Sequence, residues 1–240
     1  MRAIGVIPAR LGSTRFKEKV LAPICGKPMI RYVWEEVSKS KLLNEVIIAC
    51  DDKKIIAAAK SFGAKAVMTS KTHQSGTDRI AQAVRDLNFD LIVNIQGDEP
   101  LIKAVVIDDL LKMMQKDKDA DIGTVIKKIQ NKSDLNNPNV VKVVTDDKGF
   151  AMYFSRALIP YDRENKGAVY FKHLGIYAYS KDALMRFTSI AKSRLEQIEK
   201  LEQLRALEAG LRIKTILTYI ETIGVDTAAD LKKVERLLKK

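Results

Sequence analysis

Cysteine and histidine are scarce in this chain of 240 residues, with two of each. Cys25 and Cys50 cannot build a disulfide framework, and two free thiols suit a reducing cytoplasm. The same scarcity argues against a zinc site. No apolar run approaches the roughly 20 residues needed to span a bilayer. Residues 1–7 lack the long apolar middle and small-residue cleavage site of a signal peptide. They run straight into Pro8-Ala9-Arg10 and read as a first strand. Aromatic residues are few and not interleaved with basic ones, as a single-strand nucleic-acid binder requires. The glycines form neither a Walker A loop nor a Gly-x-Gly-x-x-Gly dinucleotide turn. No Ser-His-Asp set is visible.

What is present is an ordinary globular share of apolar residues and a strong excess of positive charge. The formal charge of +12 attracts polyanions of any kind. Because the charges are scattered, many at helical spacing, they read as a solvated basic surface rather than a nucleic-acid site. The length allows one large α/β domain with a sizeable insertion.

Hydrophobic periodicity alternates strand and helix through the first hundred residues. Strands are expected at 3–8, 45–50, 64–69 and 90–96. Helices are expected at 28–43, with Ile30, Val33, Trp34 and Val37 on one face; at 53–61, ending near Gly63; and at 78–87, with Ile80, Ala83, Val84 and Leu87 inward. Such alternation implies a mostly parallel sheet with right-handed crossovers. Strands at 121–129, 139–146, 150–155 and 170–179 then suggest an inserted antiparallel layer, a common place for a dimer interface or a substrate cover. A helix at 195–209 buries Leu195, Ile198, Leu201 and Leu204 and leaves Glu202 and Gln203 off that stripe. A strand at 212–220 and a helix at 227–239, capped by Thr227, complete a single domain over 1–240 with its insertion at about 121–180.

The loop after the first strand, Pro8-Ala9-Arg10-Leu11-Gly12-Ser13-Thr14-Arg15-Phe16-Lys17-Glu18-Lys19, combines one glycine with several cations. Ligands of open α/β sheets collect at the carboxyl ends of strands. Arg10 and Lys19 can neutralise phosphates, and Arg15 can grip a phosphate or carboxylate with two parallel hydrogen bonds. The loop suits a nucleoside triphosphate; the plain reading is a basic surface loop. Gln96-Gly97-Asp98-Glu99-Pro100 turns from buried strand to acid at the same edge, and a carboxylate there is a good oxygen ligand for Mg²⁺. Gly224-Val225-Asp226-Thr227 repeats that logic. On its own Asp226 reads as an acid favoured by a helix dipole; beside Asp98 it offers the metal a second ligand. Ser75-Gly76-Thr77-Asp78-Arg79 opens a helix whose free N–H groups suit a pyrimidine carbonyl or a phosphate, with plain N-capping equally open. His173, Gly175 and Tyr177 alternate onto one strand face, and Arg156 ends another strand; either feature can be merely solvated or structural.

Together these residues resemble the 3-deoxy-manno-octulosonate (Kdo) cytidylyltransferases, from Ile7-Pro8-Ala9-Arg10 to Gly224-Val225-Asp226-Thr227. The most specific stretches are Gln74-Ser75-Gly76-Thr77-Asp78-Arg79, Asn94-Ile95-Gln96-Gly97-Asp98-Glu99-Pro100, Tyr153-Phe154-Ser155-Arg156, Lys172-His173-Leu174-Gly175-Ile176-Tyr177 and Leu201-Glu202-Gln203-Leu204-Arg205. The resemblance implies a Rossmann-like nucleotide-diphospho-sugar transferase fold, a homodimer, CTP and Mg²⁺. It also implies a cytoplasmic step that supplies lipopolysaccharide assembly. It places Arg10 and Lys19 on the triphosphate and Asp98 and Asp226 on the metal. The nucleotide contacts would come from Pro8, Ala9, Arg10, Gly12, Ser13, Lys19, Gln74, Ser75, Gly76, Arg79 and Asp98. Arg15, Gln96, Arg156, His173, Tyr177, Glu202 and Gln203 would line the sugar pocket. Family members often carry Pro-Gly-Lys-Pro where this chain has Lys17-Glu18-Lys19-Val20: the lysine is kept, but a glycine and two prolines are lost.

The reaction this implies is in-line attack by the sugar's anomeric hydroxyl on the α-phosphate of CTP, which depends on positioning and charge neutralisation more than on a protein nucleophile. Three rival readings remain: the same reaction on 8-amino-Kdo, a sugar nucleotidylyltransferase using another base, and a basic nucleic-acid-binding protein. The last leaves both acidic loops unexplained.

Overall fold

The computed structural model describes residues 1–12, 16 and 18–239. Its chain divides into two compact units: residues 1–111 with 221–240, and residues 112–220.

The first unit is built on four parallel strands. β1 (Ala3–Ala9) lies at the centre. Beyond the 3₁₀ turn Lys19–Leu21, a two-stranded ribbon of β2 (Pro23–Ile24) and β3 (Lys27–Pro28) leads into α1 (Met29–Val37). β4 (Glu45–Cys50) pairs with β1 on one side, with Ala9 opposite Cys50. α2 (Lys53–Ser61) and β5 (Lys65–Met68) follow, and β5 extends the sheet beyond β4. α3 (Gly76–Val84) leads to β6 (Leu91–Asn94), which flanks β1 on its other side. Ile4, Val6, Ile7, Ile47, Ile48, Ile92 and Val93 are wholly buried. Near-continuous apolar runs are what a parallel sheet covered on both faces requires, and burying one such side chain contributes about 2 kcal/mol. Helix starts are written locally. Asp52 caps α2 by accepting from Lys54 N–H, and Ser75 caps α3 by accepting from Asp78 N–H. α4 (Ala104–Lys116) begins in this unit.

The second unit holds β7 (Ile122–Lys128), α5 (Lys132–Leu135), β8 (Lys142–Thr145), β9 (Ala151–Ser155), β10 (Phe171–Ser180), α6 (Lys181–Ser189), α7 (Arg194–Glu199), α8 (Gln203–Glu208) and β11 (Ile213–Leu217). β10 runs antiparallel to β7 and to β8, and β8 antiparallel to β9. The antiparallel layer thus lies where the sequence places it. β11 joins β7 in parallel. The chain then returns to the first unit for α9 (Ala228–Leu238). No helix among the described residues is long and apolar enough to cross a membrane.

Several elements depart from the sequence expectation. α1 stops at Val37 instead of reaching residue 43, and Trp34 is only half-buried, its ring 5.5 Å from that of Phe62. α3 starts at Gly76, two residues early, and buries Ala81 rather than Ala83. The single helix expected over 195–209 is two helices, broken where Lys200 adopts left-handed backbone (φ 54°). Leu201 and Leu204 are buried as expected, but in α7 Ile198 is exposed and Glu196 buried, and in α8 Gln203 is buried as well. The sequence reading assigns no element to α4.

Candidate active site

The carboxyl ends of β1 and β6, the first turn of α3 and the loop before α9 line a cleft of about 290 Å³ in the first unit. Pro8, Ala9 and Arg10 come from β1 and the residue after it, Gln74, Ser75, Gly76 and Arg79 from the start of α3, Gln96, Gly97 and Asp98 from beyond β6, and Lys19 and Asp226 from their own loops. Two glycines allow this convergence. A Cβ on Gly76 would stand 3.3 Å from Pro8 Cγ, and one on Gly97 would stand 3.3 Å from the Pro8 carbonyl oxygen. Backbone from α3 and from the acidic turn therefore packs directly against the end of β1.

Lys19 joins the two acidic loops. Its Nζ donates to Asp98 Oδ2 at 2.5 Å and to Asp226 Oδ1 at 3.0 Å. Burial alone would lower the ammonium's pKa, but the Asp98 and Asp226 carboxylates outweigh it and raise the value, so Lys19 is a firm cation. The loops are also tied through the backbone, Val225 N–H donating to the Asp98 carbonyl at 2.9 Å. Val225 packs with Ile24, Met29 and Val234 in a small core that fixes the approach to Asp226. Next to Asp98, Glu99 has one buried carboxylate oxygen without a hydrogen-bond partner. Burial and then the Asp98 charge push its pKa up to about 7, against a hydrogen bond from Thr222.

The two carboxylates fit a hard divalent ion, because oxygens that both reach one ammonium nitrogen can both reach one small cation with little movement. Among the described residues no group of three or more His, Cys, Asp or Glu forms a larger metal cluster.

On the opposite wall Ser75 Oγ caps α3, so the expected capping role is present. Arg79 lines the cleft with its guanidinium anchored: Nη2 donates to Asp51 Oδ2 at 3.0 Å and Nη1 to Thr69 Oγ1 at 2.5 Å. Gly12 is not part of the lining and has open space around it. Ser13 and Arg15 lie outside the described residues.

The remaining expected residues belong to the second unit. His173 and Tyr177 share a strand face across a shift in the β10–β7 register, their ring centroids 5.3 Å apart. Thr124 Oγ1 lies 3.1 Å from His173 Nε2, and the Phe154 ring meets the imidazole edge-on. Loss of water around the imidazole pulls its pKa down to about 3, so the ring is neutral. Burial first, then Tyr179 and Glu202, raise the Tyr177 phenol well above its ordinary value. Glu202 also accepts from Arg205 Nη2 at 3.0 Å. Gln203, off the buried stripe expected from the sequence, is buried in the first turn of α8. Arg156 is committed to backbone carbonyls, donating to Glu199 O at 2.7 Å and Pro138 O at 2.8 Å.

Residues 4–216 match the cytidylyltransferase family profile. A 3-deoxy-manno-octulosonate cytidylyltransferase of Geotalea uraniireducens is 46% identical over the full length of both chains. The enzyme of that name from Thermodesulfovibrio yellowstonii is 48% identical, covering 99% of this chain and 98% of the relative. The chain belongs to the 3-deoxy-manno-octulosonate cytidylyltransferase family.

The solved structure of a CMP:2-keto-3-deoxy-manno-octonic acid synthetase complexed with CTP superimposes with a TM-score of 0.96 at 41% identity, covering 100% of this chain and 99% of the other. The fold is accordingly that of the nucleotide-diphospho-sugar transferases. A cytidylyltransferase from Leptospira borgpetersenii shares it more distantly, at a TM-score of 0.69 and 18% identity, covering 100% of this chain and 87% of the other. Where family members often carry glycine, Glu18 adopts left-handed backbone (φ 52°, ψ 32°) immediately before the 3₁₀ turn at Lys19. Two residues escaped the sequence reading. His73 lines the cleft beside Gln74. Asp51, behind the cleft, follows β4 directly. The rule that ligands gather at the carboxyl ends of parallel strands would have flagged Asp51.

Proposed function

We propose that this chain activates 3-deoxy-manno-octulosonate: CTP and the acid sugar give CMP-sugar and pyrophosphate. The observation that carries the reading is the meeting of Lys19, Asp98 and Asp226 at the mouth of the parallel sheet, in a chain 46% identical over its full length to a relative bearing that activity in its name. In the reaction the anomeric hydroxyl oxygen forms a bond to the α-phosphorus, the bond from that phosphorus to the bridging oxygen breaks, pyrophosphate leaves and the hydroxyl proton passes to solvent. Arg10 and Lys19 hold the triphosphate and neutralise charge as it moves onto the leaving group. The first turn of α3, residues 74–79, orients the base. Asp98 and Asp226 would hold Mg²⁺, which when bound supplies Lewis-acid polarisation of the phosphate. In the second unit His173, Tyr177 and Glu202 group ring faces and a carboxylate suited to a polyhydroxylated acid; the neutral imidazole can donate one hydrogen bond and accept another.

The deciding experiment is pyrophosphate release from the four nucleoside triphosphates, each with Kdo, 8-amino-Kdo and sialic acid. Release is expected with CTP, Kdo and Mg²⁺ together, and to stop on chelation. Activity confined to a sugar phosphate would defeat the substrate class. Asp98→Asn should lower kcat by about 100-fold or more while the melting temperature stays within a few degrees. Near-normal turnover in that variant would remove the metal assignment.

We propose further that the chain works as a cytoplasmic homodimer supplying lipopolysaccharide assembly. Support for the dimer comes from the second unit, which exposes Met152, Tyr161 and Val169. Sedimentation should give twice the 26.9 kDa of one chain; a single-chain mass at micromolar concentration refutes it.

A further inference from the structure

Asp51 stands at the carboxyl end of β4, beside the strand that carries the cleft, and holds two segments at once. Its Oδ1 accepts the backbone N–H of Leu11 at 3.0 Å, and its Oδ2 accepts Arg79 Nη2 at 3.0 Å. Leu11 follows Arg10, proposed above to hold the phosphates, whereas Arg79 belongs to α3, proposed above to orient the base. The guanidinium is 4% exposed and the carboxylate 13%. The rest of the arrangement closes on itself: Arg79 Nη1 donates to Thr69 Oγ1 at 2.5 Å and to Ser70 O at 3.3 Å, and Thr69 Oγ1 donates to Cys50 O at 2.9 Å.

An ion pair this dry gains little net stability over well-packed apolar residues, because desolvation cancels most of the attraction. What it supplies that apolar packing does not is direction: a planar fork and a carboxylate fix distance and angle together. Here the segments so fixed are the two walls between which a nucleotide would lie. We infer that Asp51 is a positioning residue for nucleotide binding, holding the phosphate-side loop and the base-side helix in register. The inference rests on the reading of this cleft as a CTP site. Asp51 acts through Leu11 and Arg79 and touches no reacting atom, so its effect falls on CTP affinity and not on the chemical step.

The test is CTP affinity by calorimetry, with steady-state kinetics, in the full-length chain. Asp51→Ala is expected to weaken CTP binding by about tenfold or more, with kcat at saturating CTP within about threefold of wild type and KM for the sugar unchanged. Asp51→Asn keeps an oxygen for Leu11 N–H but not the charge opposite Arg79, and should fall between the two. Asp51→Glu should recover part of the loss. If Asp51→Ala fails to fold, Thr69→Val removes the other side-chain anchor of Arg79 at near-constant volume and should weaken CTP in the same direction. CTP affinity within about twofold of wild type in the folded variants overturns the inference, as does loss of kcat at unchanged affinity. A wild-type chain that binds no CTP brings down the CTP reading and this inference with it. A wild-type chain that binds, alongside variants that match it, brings down the inference alone.

Discussion

Residue 18 sits in backbone where a side chain costs energy. A non-glycine residue in the left-handed region is disfavoured by about 1–2 kcal/mol, and Glu18 recovers little of that. Its ion pair with Lys54, 2.8 Å long, lies at the surface, where such pairs contribute under about 1 kcal/mol. Glu18→Gly should therefore stabilise the fold by about 1 kcal/mol, read as a higher urea midpoint at unchanged slope; a lower midpoint would mean the ion pair dominates. Sequence reading reached the identity of the charged groups at this scale but not their partners. Asp98 is legible because it follows a buried strand with a sharp change from apolar to acid, Lys19 because it closes the cationic loop after β1, and Asp226 because it stands just before the α9 cap. That Lys19 would bind both acids, or that Arg79 would be held by a residue 28 positions away, depends on which strand ends become neighbours, and no local pattern records that.

At the scale of elements, α9 decides where Asp226 stands. Thr227 and Asp230 form a reciprocal capping box at its start, and Val234 is its buried residue. With so little buried surface the cap matters more than usual: Thr227→Ala should lower stability by about 1 kcal/mol. Amide exchange should quicken across α9 ahead of the β1, β4 and β6 strands; uniform exchange rates would show that α9 is held some other way. This helix was readable from its threonine and acid three residues apart, as were β4 and α2 from apolar run and cap. The break at Lys200 was not. Residues 195–209 carry a continuous helical stripe with nothing in it to mark Lys200 as left-handed; beside that break Arg156 donates to the Glu199 carboxylate and carbonyl. α4 shows the opposite failure: Ile107, Leu110, Leu111 and Met114 are buried at plain helical spacing, a pattern the sequence displays openly.

For the whole molecule, the alternation of the first hundred residues and the antiparallel run after residue 120 gave the architecture, whereas the division into two compact units depends on long-range packing. His173 lies in the second of these units. Its folded pKa of about 3 is depressed from an ordinary 6.5, so between those values the unfolded chain binds the extra proton. Stability from this group is complete above about pH 6.5 and falls as pH drops toward 3, by up to about 1.4 kcal/mol per unit. Urea unfolding across that window should show the slope, and His173→Gln should flatten it; equal slopes in both proteins would mean the imidazole titrates normally. One consequence reaches across all three scales. Two carboxylates brought this close would ordinarily push their own loops apart. Here the chain carries its own counterweight at position 19, so the mouth of the cleft can be assembled before any ion from outside arrives.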